Sequence, residues 1–102
     1  MVSRLDLQSE LEELLGTRNV YFNPPASVLM KYPCIRYSRS TIVVQHANNR
    51  IFKTTNQYEI VVIDPDPESK IADMILEHFP MCRLDRIYIA DNLLHSVLTL
   101  YY

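Results

Sequence analysis

The chain has 102 residues, a length that fits a single domain. Its hydrophobic fraction of 48% and charged fraction of 22% are ordinary for a globular protein and argue against disorder. A formal net charge of -2 gives no electrostatic reason for nucleic-acid binding, and the single glycine, Gly16, excludes a Gly-rich phosphate loop and a dinucleotide fingerprint.

The first predicted element is a helix over residues 3–15. Its leucines recur at helical spacing on one face: Leu7, Leu11, Leu14 and Leu15. Ser3 is suited to cap the start, and Gly16 can adopt the left-handed conformation that ends a helix. Three carboxylates lie on other faces and form a possible acidic surface for a partner: Glu10, Glu12 and Glu13.

Three strands are predicted in the first two thirds of the chain. Residues 19–22 can form a short edge strand, which the prolines of 23–25 end because proline cannot donate to a ladder. Residues 33–40 alternate as a second strand. Residues 57–64 are the strongest strand, and their nearly continuous apolar character predicts a central position covered on both faces.

The segment between the second and third strands, residues 41–56, is too long for a simple connection. Asn48 and Asn49 favour a turn at its middle. We therefore predict a long hairpin arm that contacts a neighbouring subunit or another partner. The expected interface residues are Arg39, Ile42, Val44, Asn48, Asn49, Arg50, Ile51, Phe52 and Lys53. Opposite charge makes Glu10, Glu12 and Glu13 their possible counterpart.

A second helix is predicted after the central strand, with Asp66 at its N-cap, Pro67 in its first turn and Pro80 at its end. The expected buried stripe consists of Ile71, Met74, Ile75, His78 and Phe79. Residues 82–89 and 94–102 then form a hairpin around a turn at 90–92. The prediction is one α+β domain over 1–102, with a mostly antiparallel sheet, two helices packed on one face and the hairpin arm.

Candidate chemical sites have simpler structural explanations. The carboxylates of 64–68 could suggest a calcium loop, but such a loop requires glycine where Ser69 stands, so a strand exit and helix cap are favoured. His78 and Cys82 lack a second pair of zinc ligands nearby. We expect no metal, no cofactor and no catalytic residue, and we expect Cys34 and Cys82 to be reduced, packed thiols. A Cys–His nucleophile is the least favoured alternative.

Basic and aromatic residues alternate near the arm and allow a second hypothesis. A single-stranded nucleic acid could bind to Arg36, Arg39, Arg50 and Lys53, among Tyr32, Tyr37 and Phe52. The same residue types are enriched in protein interfaces, and the overall acidity favours that interpretation. The longest apolar run, 60–63, is far short of the ~20 residues that span a bilayer, and residues 1–6 contain no apolar signal region, so neither membrane insertion nor secretion is expected.

Several segments together resemble a known family over almost the whole chain. They are LLGTRNVYFNPP at 14–25, MKYPCI at 30–35, YEIVVIDPDP at 58–67, PMC at 80–82, ADNL at 90–93 and TLYY at 99–102. These segments resemble small neck proteins of long-tailed bacteriophages, of the tail-completion or tail-terminator family.

The resemblance implies an architectural role and no enzymatic activity. Tail terminators form a ring, typically hexameric, that caps the tail tube at full length and docks it to the head connector protein. DNA passes through the lumen without specific binding. The implied location is the tail neck of the virion, and the host cytoplasm before assembly. Head-closure (stopper) proteins are also small and form rings at the same junction, so they remain the alternative within the neck.

Overall fold

The computed structural model describes residues 4–25, 27, 29–47 and 50–102; the side chains of 43, 45–47 and 50–54 lie outside that description. The element order is α-β-β-β-α-β-β, as the sequence predicts. The elements are α1 (Arg4–Leu15), β1 (Val20–Phe22), β2 (Cys34–Ala47), β3 (Arg50–Asp64), α2 (Ile71–His78), β4 (Cys82–Ala90) and β5 (Leu93–Tyr101).

The strands form one five-stranded sheet in the order β1-β2-β3-β5-β4. β1 runs parallel to β2, and the other three neighbouring pairs are antiparallel. This arrangement confirms the predicted α+β class with a mostly antiparallel sheet. It also confirms that β1 lies at an edge and that β3 is central.

One face of the sheet packs against both helices. The helices contribute Leu7, Leu11, Ala72 and Ile75 to the core, together with Phe79 directly after α2, and the sheet contributes Ile35, Tyr37, Tyr58, Ile60, Val62, Leu98 and Leu100. On the other face, which we call the open face, a smaller cluster contains Cys34, Val61, Ile63 and Val97. β3 is therefore buried on both faces over 60–64, as its apolar run predicts.

The end of α1 follows the expected glycine geometry. Gly16 has φ +81°, and its N–H donates a hydrogen bond to the carbonyl of Glu12 at 2.9 Å. A left-handed residue directly after the last turn satisfies one of the carbonyls that a helix end leaves without a partner. The predicted cap at Ser3 lies outside the described residues. No helix of the described chain is both long enough and apolar enough to pass through a bilayer.

The start of α2 differs from the prediction. Asp66 is not the N-cap, because the helix begins at Ile71 and Lys70 precedes it without a side-chain cap. The N–H of Asp66 donates to Asp64 Oδ1, and the N–H of Glu68 donates to Asp66 Oδ1, each at 2.9 Å. Two successive aspartate-closed turns therefore occupy the strand exit and delay the helix. These hydrogen bonds give the carboxylates a structural role.

The buried stripe of α2 is also narrower than predicted. Ala72, Ile75 and Phe79 are buried, whereas Met74 and His78 are exposed. The helix presents one face to the sheet, and neighbouring positions differ by about 100° around the axis, so Met74 is turned away from Ile75. The predictions for Ile75 and Phe79 are confirmed, and those for Met74 and His78 are wrong.

The C-terminal hairpin has a two-residue turn. Asp91 and Asn92 have φ values of 53° and 61°, the positive values that a tight turn between antiparallel strands requires. The strands pair from Ala90 and Leu93 back to Cys82 and Leu100. β5 also pairs with β3 as far as Tyr101. The prediction that the C-terminal residues form a strand of the sheet is therefore confirmed as far as Tyr101.

We expect Ile75→Ala to lower the free energy of unfolding by about 2–5 kcal/mol. The side chain is 0% exposed and lies between α2 and the sheet, so truncation removes buried apolar surface and leaves a cavity. Urea unfolding measures the change. Met74→Ala on the same helix is the matched control and should cost less than about 1 kcal/mol, because Met74 is exposed. Equal costs for the two variants would contradict the placement of α2.

Candidate assembly surfaces

β2 and β3 stay paired with each other beyond the rest of the sheet. Their register runs from Thr41 opposite Gln57 to Ala47 opposite Arg50. The β3–β5 register ends at Gln57 opposite Tyr101. We call residues 41–47 and 50–56 the β2–β3 extension. Its pairing fits a hairpin, and its role as a projecting arm stays a prediction. Asn48 and Asn49 lie outside the described residues.

Three predicted interface residues have described side chains, and all three are exposed: Arg39, Ile42 and Val44. Ile42 is 48% exposed and Val44 is 42% exposed. They pair with Asn56 and Thr54, which places both on the helix-bearing side of the sheet. The β2–β3 extension thus presents uncovered β-branched side chains on one side. Arg50, Ile51, Phe52 and Lys53 belong to β3, and their side chains are outside the description.

Two of the three carboxylates of the predicted acidic surface on α1 already form hydrogen bonds with side chains of the same chain. Glu10 accepts a hydrogen bond from the Tyr102 hydroxyl, and its other oxygen lies 3.0 Å from His78 Nε2. Glu12 accepts from Gln8 Nε2 at 3.1 Å. Glu13 is exposed to solvent. Of the three carboxylates, Glu13 is therefore the most open to a partner, whereas Glu10 ties α1 to α2 and to the end of the sheet.

The Tyr102 hydrogen bond is the largest cause that lowers the pKa of Glu10, and His78 adds to it. A carboxyl whose pKa is lowered by folding adds stability above its unfolded pKa, and this stability disappears as the pH falls through the folded pKa. Tyr102→Phe should therefore destabilise the protein more at about pH 7 than at about pH 3, because the contribution of the ionised Glu10 carboxylate decreases as the pH falls through its lowered pKa. Urea unfolding of both proteins at the two pH values tests this. If the two proteins differ in free energy of unfolding by the same amount at both pH values, the prediction is contradicted.

A second exposed surface, on β4, was not predicted from the sequence. β4 is the last strand of the sheet, and every residue of 83–89 is exposed. Four of these side chains are large and apolar or aromatic: Leu84, Ile87, Tyr88 and Ile89. Three charged residues occur within 83–86, and charges of this kind are typical of an edge strand. That charge cluster was the signal that could have identified the edge.

The polar side chains of β4 lie on the open face. Asp85 accepts from Arg83 Nε at 2.9 Å and from the Thr99 hydroxyl. These two hydrogen bonds, with Thr99 the larger cause, lower the pKa of Asp85. Tyr88 stacks on His95 with ring centroids 4.7 Å apart, and the Arg86 guanidinium lies 5.6 Å from the Tyr88 ring centroid. The open face of β4 is therefore ordered, charged and accessible.

Two of the four cations proposed for nucleic-acid binding have described side chains, and these two lie on opposite faces of the sheet. Arg36 pairs with Val61 on the open face, whereas Arg39 pairs with Tyr58 on the helix-bearing face. Both are exposed. Because successive strand residues point to opposite sides, a single strand of nucleic acid cannot contact both in one groove. This geometry favours the protein-interface interpretation of these cations.

Both cysteines are free thiols; Cys34 is buried and Cys82 is half-buried. Burial raises the pKa of each to about 11, so both are protonated at neutral pH and are poor nucleophiles. The described residues contain no group of three or more His, Cys, Asp or Glu side chains that could hold a metal ion.

Comparison of the chain with protein-family models gave no match, and neither did comparison with curated proteins.

Proposed function

We propose that this chain is a structural protein of the neck of a long-tailed bacteriophage, of the tail-terminator type. Copies of the chain form a ring that ends the tail tube and joins it to the head connector. The chain acts by holding proteins together and carries out no reaction. The observation that carries the proposal is the β2–β3 extension, with Ile42 and Val44 exposed on one side.

The extension has the properties of an assembly surface. Ile42 and Val44 keep 48% and 42% of their surface exposed in the single chain, and burial of that surface against a partner is favourable. Backbone pairing along β2 and β3 already fixes the segment, so binding orders little additional chain. Order combined with exposed apolar residues suits a contact that has to be formed many times in one geometry.

A ring requires two different patches that meet on neighbouring copies. Arg39 at the base of the β2–β3 extension is exposed and positive, and Glu13 on α1 is exposed and negative. In the proposed ring, the extension of one copy lies against α1 of the next, and apolar contacts at Ile42 and Val44 supply most of the binding. The charge pair orients the contact more than it strengthens it.

The charge of the chain is compatible with passage of DNA through the ring. With a formal net charge of -2, the protein does not attract phosphates strongly as a whole. A lumen that bound DNA tightly would hinder its transfer. In the proposed ring, DNA passes through the lumen without specific binding.

Binding to the tail tube and to the head connector tests the proposal and distinguishes a tail terminator from a head-closure protein. The protein is mixed with assembled tubes of the tail-tube protein from the same genome, and separately with the head connector protein, and co-sedimentation is measured. A tail terminator binds tube ends in the absence of the connector. Binding to the connector alone indicates a head-closure protein, and binding to neither contradicts a role in the neck.

A DNA gel shift tests the remaining alternative. We expect no shift at micromolar protein in either roughly 50 mM or roughly 200 mM salt. Micromolar binding that weakens steeply between these salt concentrations would instead support a nucleic-acid-binding module.

A further inference from the structure

The two edges of the sheet differ in how they are protected. At the β1 edge, the Gln8 side chain on α1 donates a hydrogen bond to the carbonyl of Val20 at 2.9 Å. At the β4 edge, residues 83–89 are exposed, and in the described chain no strand pairs with the outer side of β4. An exposed strand edge with apolar side chains is a template for pairing with another strand.

A β-bulge sets which side chains of β4 share a face. The register with β5 shifts between Leu84 and Arg86, so Asp85 is an extra residue. Leu84 lies opposite Leu98 and Ile87 lies opposite Ser96, which puts both on the helix-bearing face although they are three positions apart. Asp85 and Arg86, although adjacent in sequence, both lie on the open face.

We propose that two copies of the chain pair through β4, antiparallel about a two-fold axis that passes between Asp85 and Arg86. In this register Leu84 of one copy faces Ile87 of the other, and Asp85 faces Arg86. The outer pairs are Arg83 with Tyr88 and Cys82 with Ile89. Each pair occurs twice, as a contact between identical surfaces requires.

The bulge makes β4 self-complementary in this register. Paired residues in an antiparallel ladder must point to the same face. Because of the extra residue, Leu84 and Ile87 meet on the helix-bearing face, and the oppositely charged Asp85 and Arg86 meet on the open face. A register centred on Tyr88 pairs only residues 86–90 and places Tyr88 against itself. The longer register matches both apolar and charged side chains, so a second copy fits this edge.

The contact does not rest on the proposed function. It joins two identical surfaces, whereas ring closure joins two different surfaces that include the β2–β3 extension. The pairing covers Ile87 and Ile89, which are 54% and 70% exposed in the single chain. It therefore explains why a strand at the edge of the sheet retains large apolar side chains.

Light scattering after gel filtration tests the pairing. At about 100 μM the protein should have a mass of about 24 kDa, twice its chain mass of 12.0 kDa. Ile87→Lys places charges in the contact and should weaken dimerisation about tenfold or more, without unfolding a chain in which this side chain is exposed. Leu29→Lys is the matched control and should leave the dimer unchanged, because Leu29 is 94% exposed and lies outside β4.

A disulfide tests the register. In Ile89→Cys the new thiol faces the native Cys82 of the second copy, so mild oxidation should give covalent dimers. Ile89→Cys combined with Cys82→Ser should give few. A protein that stays monomeric at about 100 μM overturns the proposal, as does a dimer that Ile87→Lys leaves intact. Equal crosslinking of the two cysteine variants overturns the register.

Discussion

Deletion of residues 100–102 is expected to remove about 5 kcal/mol or more of folding stability, which is enough to unfold many domains of this size. Leu100 is fully buried and pairs with Tyr58 on β3 and Cys82 on β4. Truncation of one buried leucine alone costs about 2–5 kcal/mol. The deletion also removes the pairing of Tyr101 with β3 and the hydrogen bond from Tyr102 to Glu10.

Deletion of Tyr102 alone is the matched control. It removes one half-buried ring and the bond to Glu10, and it retains Leu100 and the pairing of β5 with both neighbours. Thermal unfolding followed by circular dichroism should show a modest decrease in Tm for this variant and no cooperative transition for the longer deletion. An unchanged Tm after deletion of residues 100–102 would contradict the packing of β5.

The largest expected effect on assembly comes from replacing Ile42 and Val44 together with threonine. Threonine keeps the β-branched shape that suits a strand but removes apolar surface, so the fold should persist. Binding of the variant to tube ends should fall about tenfold or more, because the contact loses its apolar centre. Circular dichroism checks the fold, and co-sedimentation with tail tubes checks assembly.

Exchange of the two residues, Ile42→Val with Val44→Ile, is the control for this variant. It changes side-chain shape at each position and conserves the total apolar surface, so binding to tubes should decrease by less than about tenfold. If the threonine variant binds tubes as well as the unaltered protein, the β2–β3 extension is a passive hairpin and the contact lies elsewhere.

Most of the architecture could be predicted from local patterns. The leucine spacing of α1, the apolar run of β3 and the turn at Asp91 and Asn92 each reflect one dominant physical requirement. A helix face, a strand covered on both sides and a turn between two strands need no distant partner to be recognised. These features were therefore predicted correctly.

Features that depend on competing local interactions were harder to predict. Asp66 satisfies the sequence rule for an N-cap, yet its carboxylate accepts from the N–H of Glu68 in a turn at the strand exit, directly after a similar turn closed by Asp64. Of the candidate surfaces, the exposed residues Arg39, Ile42 and Val44 were named from the sequence. The exposure of β4 could not be predicted from alternation alone, because it follows from the order of strands in the sheet.

Electron microscopy of tail-tube ends tests the proposed function most directly. Tubes of the tail-tube protein are incubated with this protein and imaged by negative stain, and the ends are classified. A ring is expected at one end of each tube, and it should be absent from tubes incubated with the Ile42 and Val44 threonine variant. Bare ends at a saturating concentration of the unaltered, folded protein would contradict a tail terminator.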